Sequence, residues 1–347
     1  MTGYLRVIAA GLGTSVQDAG RFGFQRFGVP TAGALDRVAM AAANTIVGNA
    51  PGAAVLEMLY LGATLEVVAE SARVACVGLG ASLEVTLEDG TRRDVPGAES
   101  VRVGRGARLR VIVGRSAISC VLAIEGGIAL PEVMGSLSTH ARAGIGGFEG
   151  RVLAAGDLLP IARESVEERP ELRLPDLDLA VPPRIRVVLG PQDDYFTDKA
   201  VATFLSEPYE VTRAADRMGM RLTGKPLAHA KGFNIVSDGI AAGSIQVPGD
   251  GQPIILLADR QTTGGYPKIA TVASVDLPAL GRVGPGAKLQ FEAISVEAAE
   301  DLRRAQAESE ARWREHVEPA SPSGSPEASS LYEANLISGV ADAWMED

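Results

Sequence analysis

Residues 82–95 read SLEVTLEDGTRRDV, and Leu83, Val85 and Leu87 all point one way along an extended chain. That period of two marks a strand with one face buried. Asp89-Gly90 supplies the hairpin turn before Thr91-Arg92-Arg93 returns, because such turns need the positive φ that glycine adopts freely. Residues 108–113 and 121–124 read as further strands of the same kind. Gly and Pro, at 40 and 20 of 347 residues, punctuate the chain heavily yet stay below the roughly 25–30% of low-complexity sequence. The class is therefore mainly β (α+β), with many short elements and few short helices. One such helix is expected from Val38 through Ala41, Ala42, Thr45 and Ile46, capped by Asp36 and stopped by Gly48-Asn49.

A length of 347 residues favours two lobes. Residues 163–183 carry four prolines and many charges without periodicity, as a boundary between lobes does. The expected division is 1–165, 184–294 and a terminal region 295–347. The second lobe opens with a strand at 184–189, continues with a hairpin at Gly249-Asp250-Gly251, and ends with a strand at 287–294. Asp194 is a candidate cap for a short helix through Val201 and Leu205. Residues 295–317 predict a highly charged, solvated surface helix. Residues 319–330 (PASPSGSPEASS) read as a flexible linker. Leu336, Ile337, Val340 and Trp344 beyond it fit a tail that folds back or a docking helix.

A formal net charge of −10 argues against a general phosphate-binding surface, so no nucleic-acid partner is expected. Cys76 and Cys120 lack CxxC spacing and sit in apolar stretches, as buried free thiols of a reducing cytoplasm do. The start lacks a signal-peptide pattern and no stretch nears about 18 apolar residues, so the expected location is cytoplasmic, with no membrane partner. Three histidines in unrelated contexts exclude HExxH and multi-His chemistry, and no metal site is expected. Neither a GxxxxGK[ST] loop nor a GxGxxG fingerprint occurs, since Val16 stands where the third glycine belongs.

Four polar packets at turns are candidate site elements. In the first, Arg21 is suited to clamp a carboxylate and Gln17 and Asp18 to fix an amide, or Asp18 and Arg21 form a local ion pair. The second, around 135–150, is glycine-rich, with His140 expected to be structural. In the third, Asp194 is a candidate base where it is not a helix cap. The fourth joins Gln246 to the run from Asp259 to Lys268, where an apolar strand ends in an acid, a base, an amide and two hydroxyls. There Lys268 can face an anionic oxygen and Asp259 can orient it.

The runs QDAGRFGFQRFGVPTAGALD, AANTIVGN, LEMLYLGATLE, GSLSTHARAGIGGFEGR, GPQDDYF, DRMGMRLTG, GSIQVPGDGQPIILLADRQTTGGYPK and PGAKLQFE, in order between residues 5 and 294, resemble the family of 5-oxoprolinase C-type subunits. That family is also called allophanate hydrolase subunit 2 or biotin-dependent carboxyltransferase subdomain C/D. The resemblance implies two cyclophilin-like β-barrel lobes, followed here by a C-terminal helical tail. It implies a partner protein of the B type that forms the other half of the module. Three activities follow from it: ATP-dependent opening of the lactam 5-oxoproline to L-glutamate with A-type and B-type partners; carboxyl transfer from biotin on a separate carrier to urea or another amide; or non-enzymatic antagonism of an inhibitor that resembles the B-type partner. The first is preferred, with ATP handled through the complex. The residues expected to act are Lys268, Asp259 and Asp194 in catalysis, with Gln17, Asp18, Arg21, Gln246 and Arg217 binding the small amide or lactam.

Overall fold

The computed structural model describes residues 2–115 and 117–320. The proposed tail at 331–347 and nearly all of the linker lie outside them. In the first lobe an antiparallel six-stranded sheet runs in the order Leu158–Ile161, Gly3–Ala9, Thr64–Val67, Arg108–Ile112, Ser82–Thr86, Arg92–Pro96. A five-stranded sheet runs Ser15–Gln17, Val55–Leu59, Ser119–Ile124, Ser71–Val77, Ser100–Gly104. The two meet across one core, in which Leu5, Leu65, Leu83, Val85 and Leu109 face Leu56, Met58, Val74, Cys76 and Leu122. The hairpin at Asp89-Gly90 is present, with Thr86 opposite Arg92. Both cysteines are buried and free.

Ser71–Val77 and Ser119–Ile124 are buried along their whole length, which requires a second covering layer. The layer is α1 (Arg37–Val47), whose Ala39, Ala42, Ala43 and Ile46 lie against Val55, Ala75, Val121 and Ala123. Asp36 caps it by accepting from Ala39 N–H at 2.9 Å, and Gly48 ends it at φ 87°.

The boundary segment 163–183 is no loose tether. It is strapped to the first lobe by Arg73, fully buried, which binds Glu125 at 2.6 Å, Glu171 at 3.1 Å and the carbonyl of Glu167 at 3.1 Å. Val166 and Leu174 are buried with it. Of its charges, Glu171 serves the buried Arg73 guanidinium, while Arg163 and Arg169 reach the same Glu125 that Arg73 holds.

The second lobe is an eight-stranded sheet in the order Lys288–Leu289, Tyr209–Ala215, Gly219–Thr223, Ile254–Leu256, Ser244–Gln246, Lys268–Val272, Ile185–Leu189, Phe291–Ala293. Its two edges are supplied by neighbouring pieces of chain, split at Gln290, so one continuous passage nearly closes the barrel. The single last strand expected at 287–294 is thus two. α2 (Asp198–Ser206) seals the barrel, with Phe204 stacked on Phe291 at 4.5 Å. Its cap is Thr197, accepting from Ala200 N–H; Asp194 instead lies in a short 3-10 turn and pairs with Lys231.

α3 (Leu277–Leu280) lies at the seam between the lobes, where Ser119 donates to the carbonyl of Gly281 at 3.0 Å. α4 (Val296–His316) begins at Ser295, which accepts from Ala298 N–H, and it is highly charged as expected. It is not solvated all round: it contacts α1, and Trp313 and Val317 pack on the α1 layer. The chain then pairs Glu318–Pro319 with Leu172–Arg173, so the expected linker begins as a strand. No helix among the described residues is long and apolar enough to cross a membrane.

Candidate functional site

Where the lobes meet, Arg217 is gripped from both sides. The Val55–Leu59 strand buries Glu57 completely, and Glu57 pairs with the Arg217 guanidinium. Asp259 takes the same guanidinium in a two-pronged contact at 2.8 and 3.0 Å, and Arg217 also donates to the carbonyl of Gly33 at 2.7 Å. Burial pushes Glu57 up, opposed by Arg217 and by the N–H of Leu35 at 2.6 Å. Arg217 is held above its ordinary value by its two carboxylates, which outweigh burial. A second seam pair joins Arg282 to Asp36 at 2.6 and 3.0 Å. Arg217 and Asp259, both proposed from sequence, therefore meet in the seam and hold each other.

Beside this seam lies a cavity of about 700 Å³. Its walls come from the 22–38 stretch with the start of α1, the 239–242 and 257–262 stretches of the second lobe, the 274–281 stretch that includes α3, and α4. Ala34, Leu35, Leu277 and Pro278 make part of it apolar. Its charged groups are Arg37, Arg260, Arg303 and Glu310.

Lys268 stands just behind this wall, 2% exposed. Its ammonium donates to Asp238 at 2.8 Å and to the carbonyl of Gly239, a cavity residue, at 3.3 Å. Gln192 braces the pair, accepting from Lys268 N–H at 3.1 Å and donating to Asp238 at 3.3 Å. Gln246 lies opposite Lys268 in the sheet and is reached by Gln261 at 3.4 Å. The structure thus brings Lys268 and Gln246 together as the fourth packet suggested. It leaves Asp194 apart, more than half exposed, in its pair with Lys231.

Gln17, Asp18 and Arg21 also cluster, but around the 133–139 loop. Asp18 accepts from Ser136 at 2.7 Å and from Leu137 N–H at 2.6 Å. Arg21 donates to the carbonyls of Val133 at 2.8 Å and Ser138 at 2.9 Å, and the ion pair between the two is not made. Gln17 donates to Thr139 O at 3.0 Å. Gly146, at φ +70°, lets the loop pass so close that a Cβ there would sit 2.5 Å from the Arg21 guanidinium. These residues brace the 133–139 loop, and burial pushes Arg21 down.

Sequence reasoning missed Glu57, Asp238, Arg37 and Arg303. Glu57 had a signal, a lone carboxylate inside the apolar run VLEML. Arg303 had none, because a basic residue on a charged helix looks solvated.

The carboxyltransferase domain family, subdomains A and B, matches residues 27–293. The chain belongs to this family. The lettering C/D attached to the resemblance is corrected by that match: the corresponding subdomains are A and B. Among family relatives, the chain is 38% identical over 290 residues to the C-type subunit of 5-oxoprolinase from Haemophilus influenzae, covering 84% of this chain and 91% of that protein. It is 36% identical over 319 residues to the corresponding 5-oxoprolinase protein of Escherichia coli, covering 90% and 99%. The crystal structure of the Kluyveromyces lactis urea amidolyase superposes with a TM-score of 0.80 at 29% identity, over 89% of this chain. The chain spans only 20% of that much longer enzyme. Family members are thus parts of larger enzymes or enzyme complexes. No cluster of His, Cys, Asp and Glu fit to hold a metal occurs among the described residues.

Proposed function

We propose that this chain is the C-type subunit of an ATP-dependent 5-oxoprolinase, opening 5-oxoproline to L-glutamate with A-type and B-type partners. The observation that carries this reading is the near end-to-end correspondence with two 5-oxoprolinase proteins of the C type. In the reaction the lactam C–N bond breaks, the carbonyl carbon takes hydroxide from water and the nitrogen takes the proton. ATP hydrolysis, handled through the complex, drives this opening of a resonance-stabilised amide. Lys268 is assigned to the oxygen that gains negative charge, since a fixed, buried ammonium beside the cavity wall stabilises it more than mobile water does. Gln246 is assigned to the amide. Asp259 acts through Arg217, fixing the seam that shapes the cavity. Asp194, two residues from Gln192, is assigned to the outer rim.

The test is 5-oxoproline-dependent ATP hydrolysis by the chain alone and with both partners. Turnover is expected only with the partners, and full turnover by the lone chain would overturn the shared-module reading. The likeness to a urea amidolyase supports a second reading, the carboxyltransferase half of a biotin-dependent urea or amide carboxylase. Carboxylation of urea from a biotinylated carrier, without 5-oxoproline turnover, would select it.

A further inference from the structure

Most buried arginines of this chain have carboxylate partners: Arg73 with Glu125, Arg217 with Glu57 and Asp259, Arg282 with Asp36. Arg21 is spent on carbonyls of the 133–139 loop. Arg260 differs from both kinds. It is 6% exposed, and among the described residues it donates only to neutral oxygens at long range: Ile240 O at 3.3 Å, Leu257 O at 3.3 Å and Thr31 Oγ1 at 3.4 Å. Arg37, which lies over the Phe22 ring at 5.5 Å, has no carboxylate partner among the described residues either. Arg303 reaches across from α4, held by Gln306 at 3.2 Å and loosely by Glu310 at 3.8 Å. Arg37, Arg260 and Arg303 all line the same cavity.

The electrostatics of that arrangement are unbalanced. Burial and then the Arg303 charge push Arg37 down, and burial and then Arg37 push Arg260 down. Asp18 opposes the first and Asp259 the second, but Asp259 is already engaged by Arg217. Glu310, the acid that lines the cavity, lies 3.8 Å from Arg303 and makes no pair with Arg37 or Arg260 among the described residues. Arg260 is buried, whereas Arg37 and Arg303 stand at the exposed side of the cavity, so water screens part of their repulsion and the uncompensated buried charge is that of Arg260. An anion between the three balances it, and planar guanidiniums suit a carboxylate in a forked contact.

We propose that Arg37, Arg260 and Arg303 form a clamp for a small organic carboxylate in the cavity between the lobes and α4. On the oxoprolinase reading, on which this assignment of the ligand rests, it is the carboxylate of the lactam acid. The clamp makes the cleft selective for an anionic cyclic amide over a neutral amide such as urea. Arg303 is a specificity-determining residue supplied from outside the matched span of 27–293.

The test is calorimetric titration of the full-length protein at low ionic strength with four probes: 5-oxoproline, 2-pyrrolidinone (the same ring without the carboxylate), acetate and urea. 5-Oxoproline is expected to bind at least about tenfold more tightly than 2-pyrrolidinone, the worth of a charge-assisted pair. Arg303→Gln, on an exposed helix face, is expected to remove most of that advantage while leaving the melting temperature unchanged. Arg260→Gln should do the same where it folds. Equal binding of the two ring compounds, no binding of any carboxylate, or Arg303→Gln binding 5-oxoproline as before would overturn the clamp. Arg303-dependent acetate binding with no 5-oxoproline binding would keep the clamp and overturn the oxoprolinase reading. In the complete complex, 5-oxoproline-dependent ATP hydrolysis with an unchanged KM in Arg303→Gln would do the reverse.

Discussion

Lys268 and Asp238 form a pair with unequal halves, one 2% and the other 53% exposed, and the two ends predict different outcomes. Lys268→Met keeps the stem in its packed channel and removes the charge. Turnover of the complete complex should fall by about two or more orders of magnitude, the scale of one lost transition-state donor, while the melting temperature stays within a few degrees. Unchanged turnover would remove Lys268 from the mechanism. The Asp238 carboxyl is held below its ordinary value, first by the Lys268 ammonium and then by the Gly239 N–H. Its contribution to stability is therefore complete above about pH 4, the unfolded value, and is lost as pH falls through the lower folded one. Melting temperature against pH should show a gentler acid limb in Asp238→Asn than in the parent. Lys268 stood out in the sequence because an apolar strand ends there in a charged packet. Asp238 did not, because it reaches Lys268 from a two-residue strand 30 residues away and nothing in its own neighbourhood marks it.

Among the elements, α1 was legible almost to the residue, since Asp36 and Gly48 are local signals for start and stop. What stayed hidden is that Asp36 does two jobs, capping α1 and pairing with Arg282 from the other lobe. Asp36→Asn should keep the cap and lose the charge, and breaking a buried pair costs about 3–5 kcal/mol. Asp36→Ala should lose about 1 kcal/mol more, the usual worth of a cap. Urea unfolding of both variants separates the two contributions; equal stabilities would mean the cap adds nothing. α2 shows the opposite failure. Asp194 and Thr197 are both competent caps within four residues, and local chemistry cannot choose between them; a tight turn at 193–195 absorbs Asp194 and leaves the cap to Thr197. The split of the last strand at Gln290 was likewise invisible, because which edge a strand joins depends on barrel closure and not on its own pattern.

For the whole molecule, the Glu57–Arg217–Asp259 contact ties the lobes together. Arg217→Met strands two carboxylates in the seam, so the melting temperature should fall markedly and the cavity lose its shape. Glu57→Gln with Arg217→Met should restore part of that loss, a coupling read from a double-mutant cycle; strictly additive losses would show that the contact does not join the lobes. The seam was not legible in the sequence, because Glu57 comes from a distant part of the chain. The same is true of the closing turn of the chain, where α4 rests on α1 and Glu318–Pro319 pairs with Leu172–Arg173. That feature sets an order of events at the ribosome. Translation proceeds at about 5–20 residues per second, so the first lobe emerges on the order of ten seconds before the helix that covers it. Throughout that interval the face of α1 that α4 later covers is open, and Arg303 does not yet exist. A nascent chain halted before Val296 therefore presents the cleft without its α4 wall, and the ligand selectivity proposed above is acquired only once α4 has been made.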